Sequence, residues 1–100
     1  MTIDKSLEKL YEIAINKWGM DAQMMMVIEE MSELIKEICK SSRNGIVANH
    51  RNLIDEYVDV MIMLEQLEVM LSSFEEFDFE KVYTEYRTKK MTRLRVMLED

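Results

Sequence analysis

The sequence predicts an all-α protein, a four-helix bundle that forms a single domain over residues 1–100 and is completed by oligomerisation. The chain contains two Gly and no Pro, and 48% of its residues are hydrophobic. This composition is typical of helices joined by short loops. Four segments place apolar side chains at helical spacing. A chain of 100 residues suffices for one domain with a modest core.

The first helix is expected over residues 4–17, where one side is apolar. This first stripe consists of Ile3, Leu7, Leu10, Tyr11 and Ala14. The residues WGMD at 18–21 interrupt it, and Asp21 is a suitable cap for the next helix. The second helix is expected over residues 21–40, with its main apolar stripe on one side. This second stripe consists of Met24, Val27, Ile28, Met31, Leu34, Ile35 and Ile38.

The third helix is expected over residues 50–71, after a loop at 41–48 that contains the turn signal Asn44-Gly45. Apolar residues occupy nearly every side of this helix. A helix of that kind is surrounded by protein and does not lie on a surface. Because one domain of this size can hardly surround it alone, we expect a homodimer or a homotetramer.

The fourth helix is expected over residues 79–98, after the connection SSFEEFD at 72–78. Asp78 is a good N-cap for this helix. All connections in the chain are short, so neighbouring helices should run antiparallel. The four helices should therefore form one bundle.

Charge and composition exclude several classes of protein. A net charge of −7 argues against nucleic-acid binding as the main function, because the phosphate backbone would be repelled. The longest apolar runs, MMMVI and VMIML, are far shorter than the roughly 20 residues that span a bilayer. Cys39 is the only cysteine, and the segment MTIDKSLEKL lacks the apolar core of a signal peptide. We therefore expect a cytoplasmic protein with no membrane partner.

Two pairs of acids occur at helical spacing inside the most apolar segments. The segment IEEMSEL carries Glu30 and Glu33, and the segment IDEYVDV carries Glu56 and Asp59. Acids three residues apart lie on one helix face, with Cβ atoms about 5–6 Å apart. Ionised acids in apolar surroundings are costly unless they are paired. Protonation, a basic partner or a metal must therefore offset their repulsion.

A metal fits this spacing. Two such pairs on adjacent antiparallel helices would bring four carboxylates together, and all-oxygen ligation suits Mg²⁺, with Mn²⁺ as the alternative. The lone His50 and the lone Cys39 do not make a zinc site. The competing interpretation is a solvated helix face for Glu30 and Glu33, with structural salt bridges for the acids of the third helix.

The ordered combination of motifs resembles the all-α nucleoside triphosphate pyrophosphohydrolases of the MazG-like superfamily, in particular its short, phage-type members. The acids follow the pattern Glu30-x-x-Glu33, a 22-residue interval, then Glu56-x-x-Asp59. The segment KWGMDAQMMMVIEEMSELIKEI is similar to the family's Trp-Gly, Gln and Glu-Glu-x-x-Glu-Leu helix. The segment IDEYVDVMIMLEQL is similar to its Glu-x-x-Asp-Val helix, and KKMTRL to its Lys-x-x-Arg-Leu run. The resemblance covers residues 15–95.

The resemblance implies Mg²⁺-dependent hydrolysis of nucleoside triphosphates, ribo- or deoxyribonucleotides, to the monophosphate and pyrophosphate. It also implies a role for each matching residue. The metal ligands would be Glu30, Glu33, Glu56 and Asp59. The catalytic set would add Glu29, which would support the ligands or assist the attacking water. The substrate-binding residues would be Lys90, Arg93, Trp18 and Gln23.

The fourth helix gives separate support for phosphate binding. An aromatic and apolar stripe falls within about 40° of Lys90 on the helix surface, and Arg93 falls within about 60°. A lysine at the centre of such a stripe is unusual. The alternative interpretation is that the Lys90 side chain lies along apolar surface with its ammonium group in water. One departure from the family is Tyr57, where many members have a small or Leu-like residue, and it bears on the shape of the pocket.

Two other functions fit the same sequence. A non-catalytic helical dimerisation module would use the acids in structural salt bridges. A phosphoribosyl-ATP pyrophosphohydrolase-like enzyme would share the helical architecture that the resemblance implies. The dimerisation module predicts no effect of divalent ions on stability, and an assay with phosphoribosyl-ATP would identify the second enzyme.

Overall fold

The computed structural model describes residues 3–99 and contains four helices and no strand in this range. The helices are α1 (Lys5–Trp18), α2 (Met20–Asn44), α3 (His50–Ser72) and α4 (Phe79–Leu98). The predicted all-α class is therefore confirmed. Within residues 3–99, no helix combines the length and the apolar character needed to cross a membrane.

Glycines and acidic caps set the ends of the helices. Gly19 and Gly45, with φ of 93° and 94°, follow the last residues of α1 and α2. Residues with a Cβ rarely adopt this conformation, so the helices end at these positions. Asp78 caps α4 as predicted, because its carboxylate accepts a hydrogen bond from the Lys81 backbone N–H at 3.2 Å.

Two predictions about the boundaries of α2 were wrong. The helix does not end at residue 40 but continues through Asn44, because the first residue that stops it is Gly45. The Gly45 N–H donates to the carbonyl oxygen of Ser41 at 2.8 Å and so closes the last turn. Asp21 does not cap α2, since Gly19 occupies that position. Asp21 lies in the first turn, where a negative charge interacts favourably with the helix dipole.

The helices α2 and α3 pack along their lengths as an antiparallel hairpin. Glu30 of α2 lies beside Asp59 of α3. Further along α2, the backbone carbonyl of Glu37 accepts a hydrogen bond from the side chain of Asn49 at 3.3 Å. The two helices therefore run antiparallel, with the C-terminal part of α2 beside the N-terminal end of α3. This order fixes which residues of the two helices face each other.

A small apolar cluster lies where α1 packs against the C-terminal half of α3. Its buried members are Tyr11, Ile15, Val69 and Met70. Ile3, Leu7, Met20 and Leu67 are partly buried against it. The stripe predicted for α1 is thus confirmed in large part, although Leu10 is exposed.

The apolar stripe predicted for α2 does not face a core within this chain. Val27 is buried and Leu34 is half-buried, but Ile28 and Ile35 are each 60% exposed. The other exposed members of the stripe are Met24, Met31 and Ile38. One copy of the chain therefore leaves most of this stripe uncovered, since neither α1 nor α3 packs over this side of α2. The buried positions of α2 are mostly polar: Gln23, Glu37 and Ser41 beside Val27.

The helix α4 extends away from the rest of the described chain. It contacts α3 but neither α1 nor α2, and none of its residues is buried. The radius of gyration of 16.5 Å exceeds the roughly 13 Å of a compact domain of this length. One copy of the described chain therefore does not form a closed four-helix bundle.

Candidate metal centre and adjoining cavity

Three carboxylates meet between α2 and α3. Glu30 comes from α2, and Glu56 and Asp59 come from α3. Each side chain offers an oxygen, and these oxygens lie within 4.8 Å of one another. The spacing i, i+3 places the two acids of α3 on one face, and the antiparallel packing brings Glu30 opposite them. Such a group can hold a divalent cation, although acidic groups at a protein surface also occur without one.

The electrostatics of this group are set by burial and by other acids. Partial burial raises the pKa of Glu30, and the nearby carboxylates raise it further. Those carboxylates belong to Asp59, Glu29, Glu33 and Asp55. Partial burial likewise raises the pKa of Glu56, followed by the negative charges of Asp59, Glu30, Asp55 and Glu33. Each of these neighbouring charges favours binding of a proton or a cation.

Glu33 and Glu29, the other two predicted catalytic acids, lie close to the group without belonging to it. Both are exposed on α2. The side-chain oxygens of Glu33 do not join the set within 4.8 Å, but its charge acts on both Glu30 and Glu56. Glu29 directly precedes Glu30, and its backbone carbonyl accepts a hydrogen bond from the Ser32 hydroxyl at 2.6 Å. A fourth ligand from Glu33 would require its side chain to turn.

The predicted phosphate-binding residues Lys90 and Arg93 lie on α4 and are exposed. Because α4 does not contact α2, one copy of the chain does not pack either residue against Glu30. Lys90 lines a cavity of about 460 Å³ on the aromatic side of α4. Its walls include Phe77, Phe79, Val82, Tyr83 and Tyr86. The aromatic surroundings predicted for Lys90 are therefore present, but apart from the acids.

Trp18 and Gln23, the remaining predicted substrate-binding residues, line a second cavity of about 480 Å³. Trp18 is 58% exposed, with the Lys17 ammonium 5.4 Å from its ring centroid, and Gln23 is buried. Ala22, Met26, Met63 and Gln66 complete the walls. Because Met26 precedes Glu30 by one helical turn and Met63 follows Asp59 by one turn, the cavity adjoins the three carboxylates. The structure thus brings these two predicted residues together.

Gln66 was missed by the sequence analysis. It is 8% exposed, and its side-chain oxygen has no hydrogen-bond partner among the described residues. Its side-chain nitrogen donates only to the sulfur of Met63, at 3.7 Å. A single Gln in an apolar helix could have drawn attention, since every position around it in LEQLEVM is apolar or acidic. Sequence spacing alone does not reveal that Gln66 lines the same cavity as Trp18.

Comparisons of the chain with known protein families, with characterised proteins and with solved structures found no match.

Proposed function

We propose that this chain is a Mg²⁺-dependent hydrolase that converts nucleoside triphosphates, ribo- or deoxyribonucleotides, to the monophosphate and pyrophosphate. One observation carries the proposal. Glu30, Glu56 and Asp59, from two helices, converge within 4.8 Å in surroundings whose charges are those of further acids. Acids that only stabilise a fold are normally paired with cations. This arrangement instead favours an incoming cation.

The donor set fits Mg²⁺. Mg²⁺ prefers oxygen ligands at about 2.0–2.1 Å, so two oxygens on opposite sides of the ion are about 4.2 Å apart. The oxygens of the three carboxylates lie within 4.8 Å of one another, so small rotations of their side chains suffice to reach such distances. Glu33, one turn from Glu30 on α2, is the fourth proposed ligand. Mn²⁺ prefers the same oxygen donors and is the alternative ion.

The protein residues divide the remaining tasks of the reaction. When bound, Mg²⁺ supplies Lewis-acid chemistry, which neutralises phosphate charge and favours activation of a water molecule. Glu29, whose charge acts on Glu30, would orient the attacking water as a hydrogen-bond acceptor. Lys90 and Arg93 hold phosphate oxygens through charge-assisted hydrogen bonds. The bond to pyrophosphate is cleaved by water, so no covalent intermediate on the protein is required.

A second copy of the chain is part of the proposal. A second copy would bury the exposed apolar stripe of α2, because monomers rarely expose large contiguous apolar patches. The helix α4 carries six Lys and Arg residues against two Glu, within a chain of net charge −7. We propose a homodimer or homotetramer in which α4 of one copy approaches the acids of another. The apolar stripe also favours a second candidate function, a non-catalytic helical assembly module.

Light scattering tests the assembly, because a helical interface of this kind should bury more than about 2,000 Å². We expect a dimer or tetramer at micromolar concentration. A stable folded monomer at that concentration would contradict the assembly.

The decisive test of activity is to incubate the protein with each triphosphate and Mg²⁺ and to identify the products. We expect monophosphate and pyrophosphate, with no turnover in EDTA. The variant Asp59→Asn is the matched control, because it removes one ligand charge while keeping the side-chain shape. Release of diphosphate and phosphate would indicate a different chemistry. No turnover of any triphosphate would favour the assembly module.

A further inference from the structure

The cavity beside the acids contains a buried amide with an unused acceptor. Gln66 lines this cavity, and its side-chain oxygen is buried with no hydrogen-bond partner among residues 3–99. Its side-chain nitrogen donates to the sulfur of Met63 at 3.7 Å. Native proteins leave few buried polar atoms unpaired, and each such atom requires an explanation. A ligand in the cavity would provide one.

The position of the cavity relates this ligand to the acids. Met26 in its wall lies four residues before Glu30 on α2, and Met63 lies four residues after Asp59 on α3. Four residues of a helix rise about 6 Å. A molecule whose charged end lies at the carboxylates can therefore place its uncharged end in the cavity.

The walls of the cavity suit a planar heteroaromatic ring. The Trp18 indole and the thioethers of Met26 and Met63 offer flat or polarisable surfaces. The amides of Gln23 and Gln66 can pair with the polar edge of such a ring. In a nucleoside triphosphate this ring is the base, and the sugar separates it from the phosphates.

The pairing of the Gln66 amide determines which base fits. A thioether only accepts hydrogen bonds, so Met63 engages the nitrogen of the amide and leaves its oxygen unused. The terminal amide torsion is soft, which allows the oxygen to turn toward a donor on the ligand. Resting on the proposed function, we propose that Gln66 accepts a hydrogen bond from the amino group of cytosine or adenine. The enzyme would then select these bases over uracil or hypoxanthine, which carry a carbonyl at the same position.

The variant Gln66→Met tests this proposal, because Met has a similar size and no hydrogen-bonding amide. The measurement is the ratio of kcat/KM for CTP to that for UTP, and likewise for ATP to ITP. We expect a ratio of about 10 or more in the wild type and a ratio near one in the variant, as when a buried acceptor loses its donor. An equal loss on both members of a pair, or a wild-type preference for UTP and ITP, overturns the proposal.

A binding measurement separates failure of this proposal from failure of the proposed function. Trp18 is the only tryptophan of the chain and lines the cavity, so its fluorescence reports binding without turnover. We expect CMP to quench it at lower concentration than UMP, and Gln66→Met to remove the difference. If this result appears without hydrolysis of any triphosphate, base recognition stands and the proposed function fails. Equal affinities in the wild type, or no response to either nucleotide, overturn the recognition.

Discussion

The helix α3 carries two groups of acids whose surroundings differ. In its N-terminal half, Glu56 and Asp59 face Glu30 across the hairpin, and the surrounding charges are those of further acids. In its C-terminal half, Glu65 accepts a hydrogen bond from the Tyr11 hydroxyl at 3.1 Å. Glu68, next in sequence to Val69 of the apolar cluster, is 6% exposed. In the first group carboxylates of two helices converge on one point, whereas in the second Glu65 is hydrogen-bonded to Tyr11 and Glu68 is buried beside other acids.

The two groups respond differently to a cation for this reason. Three converging carboxylates gain from an ion between them, because it removes their mutual repulsion. A single buried carboxylate gains most from a proton, since burial disfavours the charged form. Burial raises the pKa of Glu68, and the charges of Glu80 and Glu65 raise it further. Metal should therefore act on the first group and protonation on both.

The largest expected effect comes from removing a ligand in the first group. Asp59→Asn should lower Mg²⁺-dependent hydrolysis by more than about 100-fold, since even residues that only support ligands account for about 10–100-fold. Mg²⁺ at millimolar concentration should raise the melting temperature of the wild type, because it binds the folded state. It should raise that of Asp59→Asn much less. Product analysis and thermal melts measure the two effects.

The variant Glu68→Gln is the matched control from the second group. It also neutralises one acid of α3, but the charge removed lies outside the carboxylate group. It should retain hydrolysis and the full Mg²⁺ shift. If Mg²⁺ leaves the wild-type melting temperature unchanged and Asp59→Asn destabilises the metal-free protein by several kcal/mol, then the first group consists of structural ion pairs.

The next effect concerns the positive charges of α4, which we propose to bind phosphate. Lys90→Ala and Arg93→Ala should each lower kcat/KM by about 10- to 150-fold, since charge-assisted bonds to phosphate contribute about 1.5–3 kcal/mol. Both residues are exposed, so the melting temperatures should change little. If both variants keep wild-type kinetics, Lys90 only lies along the apolar surface of α4 and has no phosphate role.

Mixing variants reveals which copy supplies these residues. If α4 of one copy serves the acids of another, equal amounts of Lys90→Ala and Glu30→Gln should recover about a quarter of wild-type activity after subunit exchange. The reason is that half of the dimers are mixed and each mixed dimer contains one intact site. Absence of recovery, with subunit exchange confirmed by labelled protein, would mean that Lys90 acts on the acids of its own copy or not at all.

A smaller effect is the pH dependence of the metal-free protein. The pKa values of Glu30 and Glu56 are raised above their ordinary value of 4.5. Stability from these groups is therefore fully present below pH 4.5 and is lost as the pH rises through the folded-state values. Glu30→Gln should melt at a higher temperature than the wild type at pH 7 without metal, and the difference should vanish below pH 4.5. A lower melting temperature at pH 7 would identify a stabilising partner for Glu30.

The sequence predicted the four helices, and three of the four acids that it placed together, all but Glu33, lie together in the structure. The helical period places Glu56 and Asp59 on one face of α3 and Tyr11 on the apolar face of α1. Short connections predict antiparallel neighbours. The end of α2 was misplaced because Ser41 and its neighbours are poor helix formers in isolation, while the actual stop is Gly45. Local propensity is a weak guide when packing extends a helix.

Sequence spacing does not predict what surrounds the acids or what covers the apolar stripe of α2. Helical periodicity identifies an apolar face of α2 but does not state whether this chain or another copy covers it. Ile28 and Ile35 belong to this predicted face and are exposed in one copy. The position of Gln66 in the same cavity as Gln23 depends on how α3 packs against α2. Spacing along the sequence does not give this packing. The roles of Lys90 and Arg93 remain proposals because α4 contacts only α3 among the described helices.

The smallest expected effect lies in the second group and tests whether it is structural. Burial and then the carboxylate of Glu65 raise the pKa of Tyr11 to about 12, so the hydroxyl is protonated at neutral pH and donates to Glu65. Tyr11→Phe removes this donor and keeps the ring in the apolar cluster. The variant should lose about 1 kcal/mol of unfolding free energy, measured by urea denaturation, with hydrolysis and the Mg²⁺ shift intact. A loss of Mg²⁺-dependent activity would instead couple the two groups through α3 and remove the distinction between them.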